Sequence, residues 1–184
     1  MRLLPLAPEH LDRVAEWLGE EENYKWLDFG AGGQPLTKVT LRMMSLRDLH
    51  CLRLFEADAG AGPCGIVALS DINREFRTAV LWYVLGEKSQ AARGLTSKAV
   101  GLLLDHGRRE VGLHQVRAWA VEANAASIRV LEKNGFRRIG RERACHRIQG
   151  VIHDRIHFDR ILDAAEPLHL PPEPPLKPSQ RPGA

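Results

Sequence analysis

Apolar residues recur along this chain with two different periods, and the switches between them mark out the elements. Met1–Leu6 reads as a first strand. Pro8 suits the first turn of a helix, and Leu11, Val14, Ala15 and Leu18 then fall on one face at the helical period. Gly19 and the acidic run Glu20-Glu21-Glu22 are expected to end it, and an irregular aromatic stretch from Tyr24 to Gly33 precedes a second helix over about Leu36 to Leu46. Two strands follow, Cys51–Ala57 and Cys64–Leu69, joined by the glycine-rich turn Asp58–Gly62.

Beyond them the period alternates again. Leu81–Leu85 reads as a strand, and Leu95, Ala99 and Leu103, with Val100 and Leu104 beside them, give a wide apolar stripe on a helix that opens at Gly94. Val116–Val121 is the next strand, Asn124 to Phe136 a capped helix, and Phe136–His146 and Val151–Leu162 two closing strands around a Gln149-Gly150 turn. In the last strand Ile152, Ile156 and Phe158 share one face and His153, Arg155 and His157 the other. The order is β-α-α-β-β-β-α-β-α-β-β, an α/β chain.

Composition bounds this picture without changing it. With 184 residues, 44% hydrophobic and 27% charged, the chain fits one domain with a sizeable core, spanning residues 1–165. From Pro167 onward it holds seven of its eleven prolines, so residues 166–184 are expected to form an extended tail. The net charge of +3 suits an anionic cofactor. It would suit nucleic acid too, but no lysine-rich arm or stacking-aromatic motif accompanies it. Cys51, Cys64 and Cys145 lie far apart and form no metal or disulfide pattern, and His153 and His157 find no third ligand, so no metal is expected. No signal peptide or membrane span is readable, which makes the cytoplasm the expected location.

The candidate chemistry gathers between Gln90 and Phe136. A basic turn, Gln90-Ala91-Ala92-Arg93-Gly94-Leu95-Thr96-Ser97, opens a helix whose first N–H groups have no intrahelical partners. At Gly94 the backbone can approach an anion closely, so the N–H groups of Leu95, Thr96 and Ser97 can hold a pyrophosphate, and Arg93 adds a planar fork of donors. Asn124 is placed as an N-cap and Gly135 as a left-handed C-terminal residue, which by themselves account for both.

This order of elements with these residues resembles the GCN5-related N-acetyltransferase (GNAT) superfamily, and most closely its branch of ribosomal-protein N-terminal acetyltransferases. The resemblance covers Leu3 to about Leu162. It implies a mixed, largely antiparallel central sheet of six to seven strands flanked by about four helices. It further implies acetyl-CoA as co-substrate, with its pyrophosphate at the Gly94 turn. The family's usual pattern there is QxxGxG or QxxGxA; aligned on Gly94, this chain has Ala91 at the first position and Thr96 at the last. Asn124 would also bond the pantetheine arm, Ser127 would lie beside the acyl sulfur and Lys133 near the adenosine phosphates. The backbone near Val84 and Leu85 would bond pantetheine like an added strand and face the thioester carbonyl oxygen.

The resemblance also shows what is missing. Many relatives carry a Glu on the strand that here reads Ala79-Val80-Leu81-Trp82-Tyr83, and a tyrosine acid at the position of Leu131. Asp71 and Glu75, in the link before that strand, are the nearest candidate bases, with His146 and Asp154 on the final hairpin as further ones; Ser127 is the remaining hydroxyl near the thiolate. Cys145 has no recognisable paired base that would make it an acyl-accepting nucleophile. The loop between the first two helices would wall the acceptor site, with Asp28 attracting a cationic amine and Tyr24, Trp26 and Phe29 packing its body. The acceptor would be a protein N-terminus or a small-molecule amine. A non-catalytic coenzyme A binding module and a basic ribosome-associated protein are the rival readings, and a homodimer through the aromatic loop or the last strands is left open.

Overall fold

The computed structural model describes residues 1–28 and 35–163. The expected aromatic wall at Phe29 and the proline-rich tail fall outside these residues. Seven strands form one sheet: β1 (Arg2–Pro5), β2 (Cys51–Glu56), β3 (Gly65–Asn73), β4 (Thr78–Leu85), β5 (Gln115–Val121), β6 (Arg137–Ile148) and β7 (Val151–Ile161), in the order β1-β2-β3-β4-β5-β7-β6. Helices α1 (Leu11–Gly19), α2 (Glu21–Tyr24), α3 (Lys38–Ser45), α4 (Leu95–His106) and α5 (Ala125–Lys133) cover it. The acidic run does more than end α1: Glu20 stands at the N-cap position of a further turn, α2, whose first positions Glu21 and Glu22 complement the positive end of the helix.

Alternation along the strands sends side chains to two separate cores. On one face Leu11, Val14, Trp17 and Leu18 of α1 and Leu41 of α3 pack on Leu52, Leu54, Ile66 and Val84. On the other, Leu95, Ala99, Val100 and Leu103 of α4 and Leu131 of α5 pack on Val67, Leu69, Leu81, Val116 and Phe158. Leu131, where the family has its tyrosine, is fully buried core.

Every pairing in the sheet is antiparallel except one. β4 and β5 run parallel and pair only over Thr78–Val80 against Gln115–Arg117. Beyond Val80 the two strands part, and the second half of β4 keeps β3 as its neighbour on one side while its other edge has no strand partner among the described residues. Backbone groups along that edge need partners. The split therefore builds a notch with strand-like hydrogen-bonding potential into the middle of the sheet. A second irregularity lies opposite: the β3–β4 register shifts between Ser70 and Asn73, and Asp71 takes φ 50. Asp71 thus sits on a bulge within β3, not in a connecting link, because the extra residue lets the strand continue to Asn73.

Candidate active site

On the α4 side the notch opens into a cleft of about 580 Å³. Its strand wall is Tyr83, Val84 and Leu85. Its second wall is the turn before α4, where Ala92 (φ 63) and Gly94 (φ 71) are both left-handed. They stand two residues apart, so the backbone turns twice into the left-handed region just before α4 begins. A Cβ added at Gly94 would meet nothing within 4 Å, so the space over this backbone is open to the cleft. The first hydrogen bond of α4 runs from the Lys98 N–H to the Gly94 carbonyl at 3.1 Å, leaving the N–H groups of Leu95, Thr96 and Ser97 ahead of the helix's own bonding.

The third wall is α5. The Asn124 side-chain oxygen accepts from the Ser127 N–H at 3.1 Å, the expected cap. At the other end, the Asn134 side chain donates to the Ser97 carbonyl and hydroxyl, each at 3.1 Å, and so fixes α5 against the first turn of α4. Gly101 permits that approach, since a Cβ there would lie 3.3 Å from Asn134 Oδ1. The cleft is lined by three cations: Lys133 as expected, with Lys88 and Arg129 in addition. Arg129 and Lys133 are four apart on one helix, a spacing readable in the sequence. Of the residues expected to hold the donor, all but Arg93 line this cleft; the Arg93 guanidinium turns instead to the Gln90 side chain.

At the head of the cleft the Tyr83 phenol lies 2.8 Å from Ser127 Oγ and 3.1 Å from the Ser127 carbonyl, to which it can donate. Burial raises the phenol's pKa, outweighing the Ser127 hydrogen bond, so the hydroxyl keeps its proton. Ser127 is legible in the sequence from its place early in a capped helix, whereas Tyr83 is not, since it meets Ser127 only across 44 positions of the chain. A phenol from β4 occupies the head of the cleft.

Tyr83 and Leu27 are also shared with a second cleft, of about 400 Å³, on the α3 side of the notch. Three tryptophans, Trp26, Trp82 and Trp119, line it, together with Ser70, His50 and Asp71. Trp82 donates to Ser70 Oγ at 2.8 Å. Asp28 also lines this cleft, and its Oδ2 accepts from Arg155 Nη2 at 2.6 Å. Arg155 in turn lies 4.2 Å over the Trp119 ring and donates to His146 Nδ1 at 2.9 Å. Because Arg155 can only donate, His146 accepts at Nδ1 and donates from Nε2 to the Lys25 carbonyl at 2.7 Å. The closing hairpin thereby straps the loop after α2 across the cleft.

The remaining sequence candidates are displaced from it. Tyr24 lines an adjoining groove with His146 and Cys145, and Glu75 is exposed on the β3–β4 turn and lines neither cleft. His146 is engaged with Lys25 and Arg155. Asp154 accepts from the Ala144 N–H and from Arg141, which hold its carboxyl below the usual range. Burial pushes the Cys145 thiol up, away from a thiolate. His50 carried no sequence signal, since it directly precedes β2 and belongs to no periodic face.

A cleft over free helix N–H groups with cations around it and an open strand edge fits a coenzyme A chain, and the matching family is one of acetyltransferases. Residues 1–137 match the model described as "Acetyltransferase (GNAT) domain". The chain belongs to the GNAT acetyltransferase family. Acetyl transfer is the chemistry for which that family is named. "Probable N-acetyltransferase YjcK" of Bacillus subtilis is 37% identical over 91 residues, 49% of this chain and 50% of that protein, so the match spans half of that relative's length. "Putative ribosomal N-acetyltransferase YdaF" of the same organism is 25% identical over 164 residues, covering 85% of this GNAT chain and 88% of its own. Spermidine N-acetyltransferase from Vibrio cholerae, solved with CoA and spermine, superposes with TM-score 0.76 at 16% identity over 88% of this chain and 95% of its own, a likeness of fold. Among the described residues no helix is long and apolar enough to cross a membrane.

Proposed function

We propose that this GNAT protein moves an acetyl group from acetyl-CoA to a primary amine by direct transfer in a ternary complex. The observation that carries the reading is the pair of clefts on opposite sides of the β4–β5 split, meeting at Tyr83 and Leu27. A donor in one and an acceptor in the other would present their reacting groups at that junction, and holding two reactants in line accounts for much of the acceleration such a reaction needs. Bound there, acetyl-CoA supplies an activated thioester carbonyl.

The chain's own groups divide the remaining work. The Gly94 turn and the leading N–H groups of α4, with Lys88, Arg129 and Lys133, bind the phosphates. The free edge of β4 near Val84 and Leu85 aligns the pantetheine arm and offers an N–H to the carbonyl oxygen. The Tyr83–Ser127 pair, protonated before the step, relays a proton to the departing sulfur. Trp26, Trp82 and Trp119 enclose the acceptor's body, and Asp28 and Asp71 favour its cationic form on entry. That aromatic lining supports a small-molecule amine or the first residue of a peptide, and spermidine is the amine named for the Vibrio cholerae neighbour. Self-association belongs to the same reading, that neighbour being dodecameric in one solved form.

Calorimetric titration with acetyl-CoA tests the donor, followed by thiol release with a panel of amines. Saturable micromolar binding and turnover are expected. Binding without turnover on any amine would leave a coenzyme A binding module, and no binding would withdraw the donor assignment.

A further inference from the structure

Among the described residues, one buried side-chain nitrogen or oxygen has no hydrogen-bond partner: Nδ1 of His50. Native structures rarely leave such an atom bare, and each case asks for a reason. His50 lines the acceptor cleft, on the same wall as Ser70 and Asp71. Its other nitrogen, Nε2, is neither buried nor bonded among the described residues and is the one left to face an incoming group.

We propose that His50 is the base that takes the proton from the acceptor's ammonium, with the Asp71 carboxylate stabilising the imidazolium that forms. The assignment rests on the acetyltransfer reading above. It concerns a residue that the missing strand Glu leaves room for. Asp28, the other carboxylate on this cleft, is engaged by Arg155, and an imidazole is a stronger base than a carboxylate by about two pH units.

The charged groups around the ring agree with this role. Burial lowers the His50 pKa first and Arg47, from the turn after α3, lowers it further, while Asp71, on the β3 bulge, opposes both. The ring is therefore neutral at pH 7 and able to accept. Asp71 is held beside it by a left-handed backbone that a non-glycine residue seldom adopts. Tyr83, on the far side of the cleft, keeps its proton and adds no charge. The proton count closes. His50 takes one proton from R–NH3⁺; the neutral amine attacks the carbonyl carbon, the C–S bond breaks, and the second amine proton replaces the one that Ser127 and Tyr83 give to the thiolate. The products are the amide, the free thiol and an imidazolium that returns its proton to solvent.

The test compares full-length wild-type protein with His50→Gln and Asp71→Asn. Wild-type kcat/KM for the amine should rise with pH through a midpoint below that of free histidine, and an NMR titration of the His50 ring should show the same midpoint. His50→Gln should lower kcat by about 100-fold, abolish that limb and leave acetyl-CoA binding by calorimetry intact. Asp71→Asn should move the NMR midpoint to still lower pH. Added imidazole should restore part of the activity of His50→Ala. An unchanged acid limb in His50→Gln, or turnover within about threefold of wild type, would overturn the assignment and leave acetyl transfer standing. Absence of turnover in the wild type would instead remove the reading on which it rests.

Discussion

Ala92 bears a cost that its neighbour Gly94 avoids. Both are left-handed in the turn before α4, and for alanine that conformation is unfavourable by roughly 1–2 kcal/mol. A glycine in its place gives back roughly 0.5–1 kcal/mol through the freedom of the unfolded chain. Ala92→Gly is thus expected to raise stability by about 0.5–1 kcal/mol in thermal or urea unfolding, with acetyl-CoA affinity unchanged or improved. The Tyr83–Ser127 contact makes a different demand. Tyr83→Phe should lower kcat by about tenfold or more while the affinity for acetyl-CoA stays within about twofold, because the ring still fills its place and only the proton path is cut. Equal losses in binding and turnover would show that the phenol merely supports the wall. Residue-scale features divide sharply in legibility. Asn124 and Gly135 could be read from cap chemistry alone, whereas the roles proposed for Tyr83 and His50 rest on partners far along the chain, at Ser127 and Asp71.

Among the elements, the strands and long helices were readable because their apolar period is set by burial on a single face. The sequence could not show where a strand stops pairing. The strand expected at Leu81–Leu85 begins at Thr78 in β4; Thr78–Val80 pair with β5 and the expected part does not, a division at Val80 that depends on β5 and β7. The bulge at Asp71 was hidden for the same reason. The hairpin β6–β7 was legible as two strands but not as a strap, since its grip on the loop after α2 depends on contacts across more than 120 positions. Arg155 is the centre of that grip and is mostly buried at 14% exposure. Replacing it by alanine removes the bonds to Asp28 and His146, each worth about 1.5–3 kcal/mol where a charge is involved. Steady-state kinetics should then show the amine KM raised by about tenfold or more, with binding of acetyl-CoA unaffected. A rise confined to the donor KM would place the strap's role elsewhere.

At the scale of the whole molecule, the two clefts have one cause. A single split between parallel strands opens a sheet whose faces already carry their own helices, and a cavity forms on each side of it. The four tryptophans are unevenly shared between them. Trp17 is packed on Gly86 in the core beneath α1, where an added Cβ would come within 2.0 Å of its ring. The other three line the cleft proposed for the acceptor, and none lines the one proposed for the donor. The chain therefore carries a built-in optical reporter with a one-sided field of view: intrinsic indole emission should shift or quench when an amine enters and stay nearly constant when coenzyme A alone binds. A fluorescence titration run in both orders of addition would read which substrate arrives first, without a label.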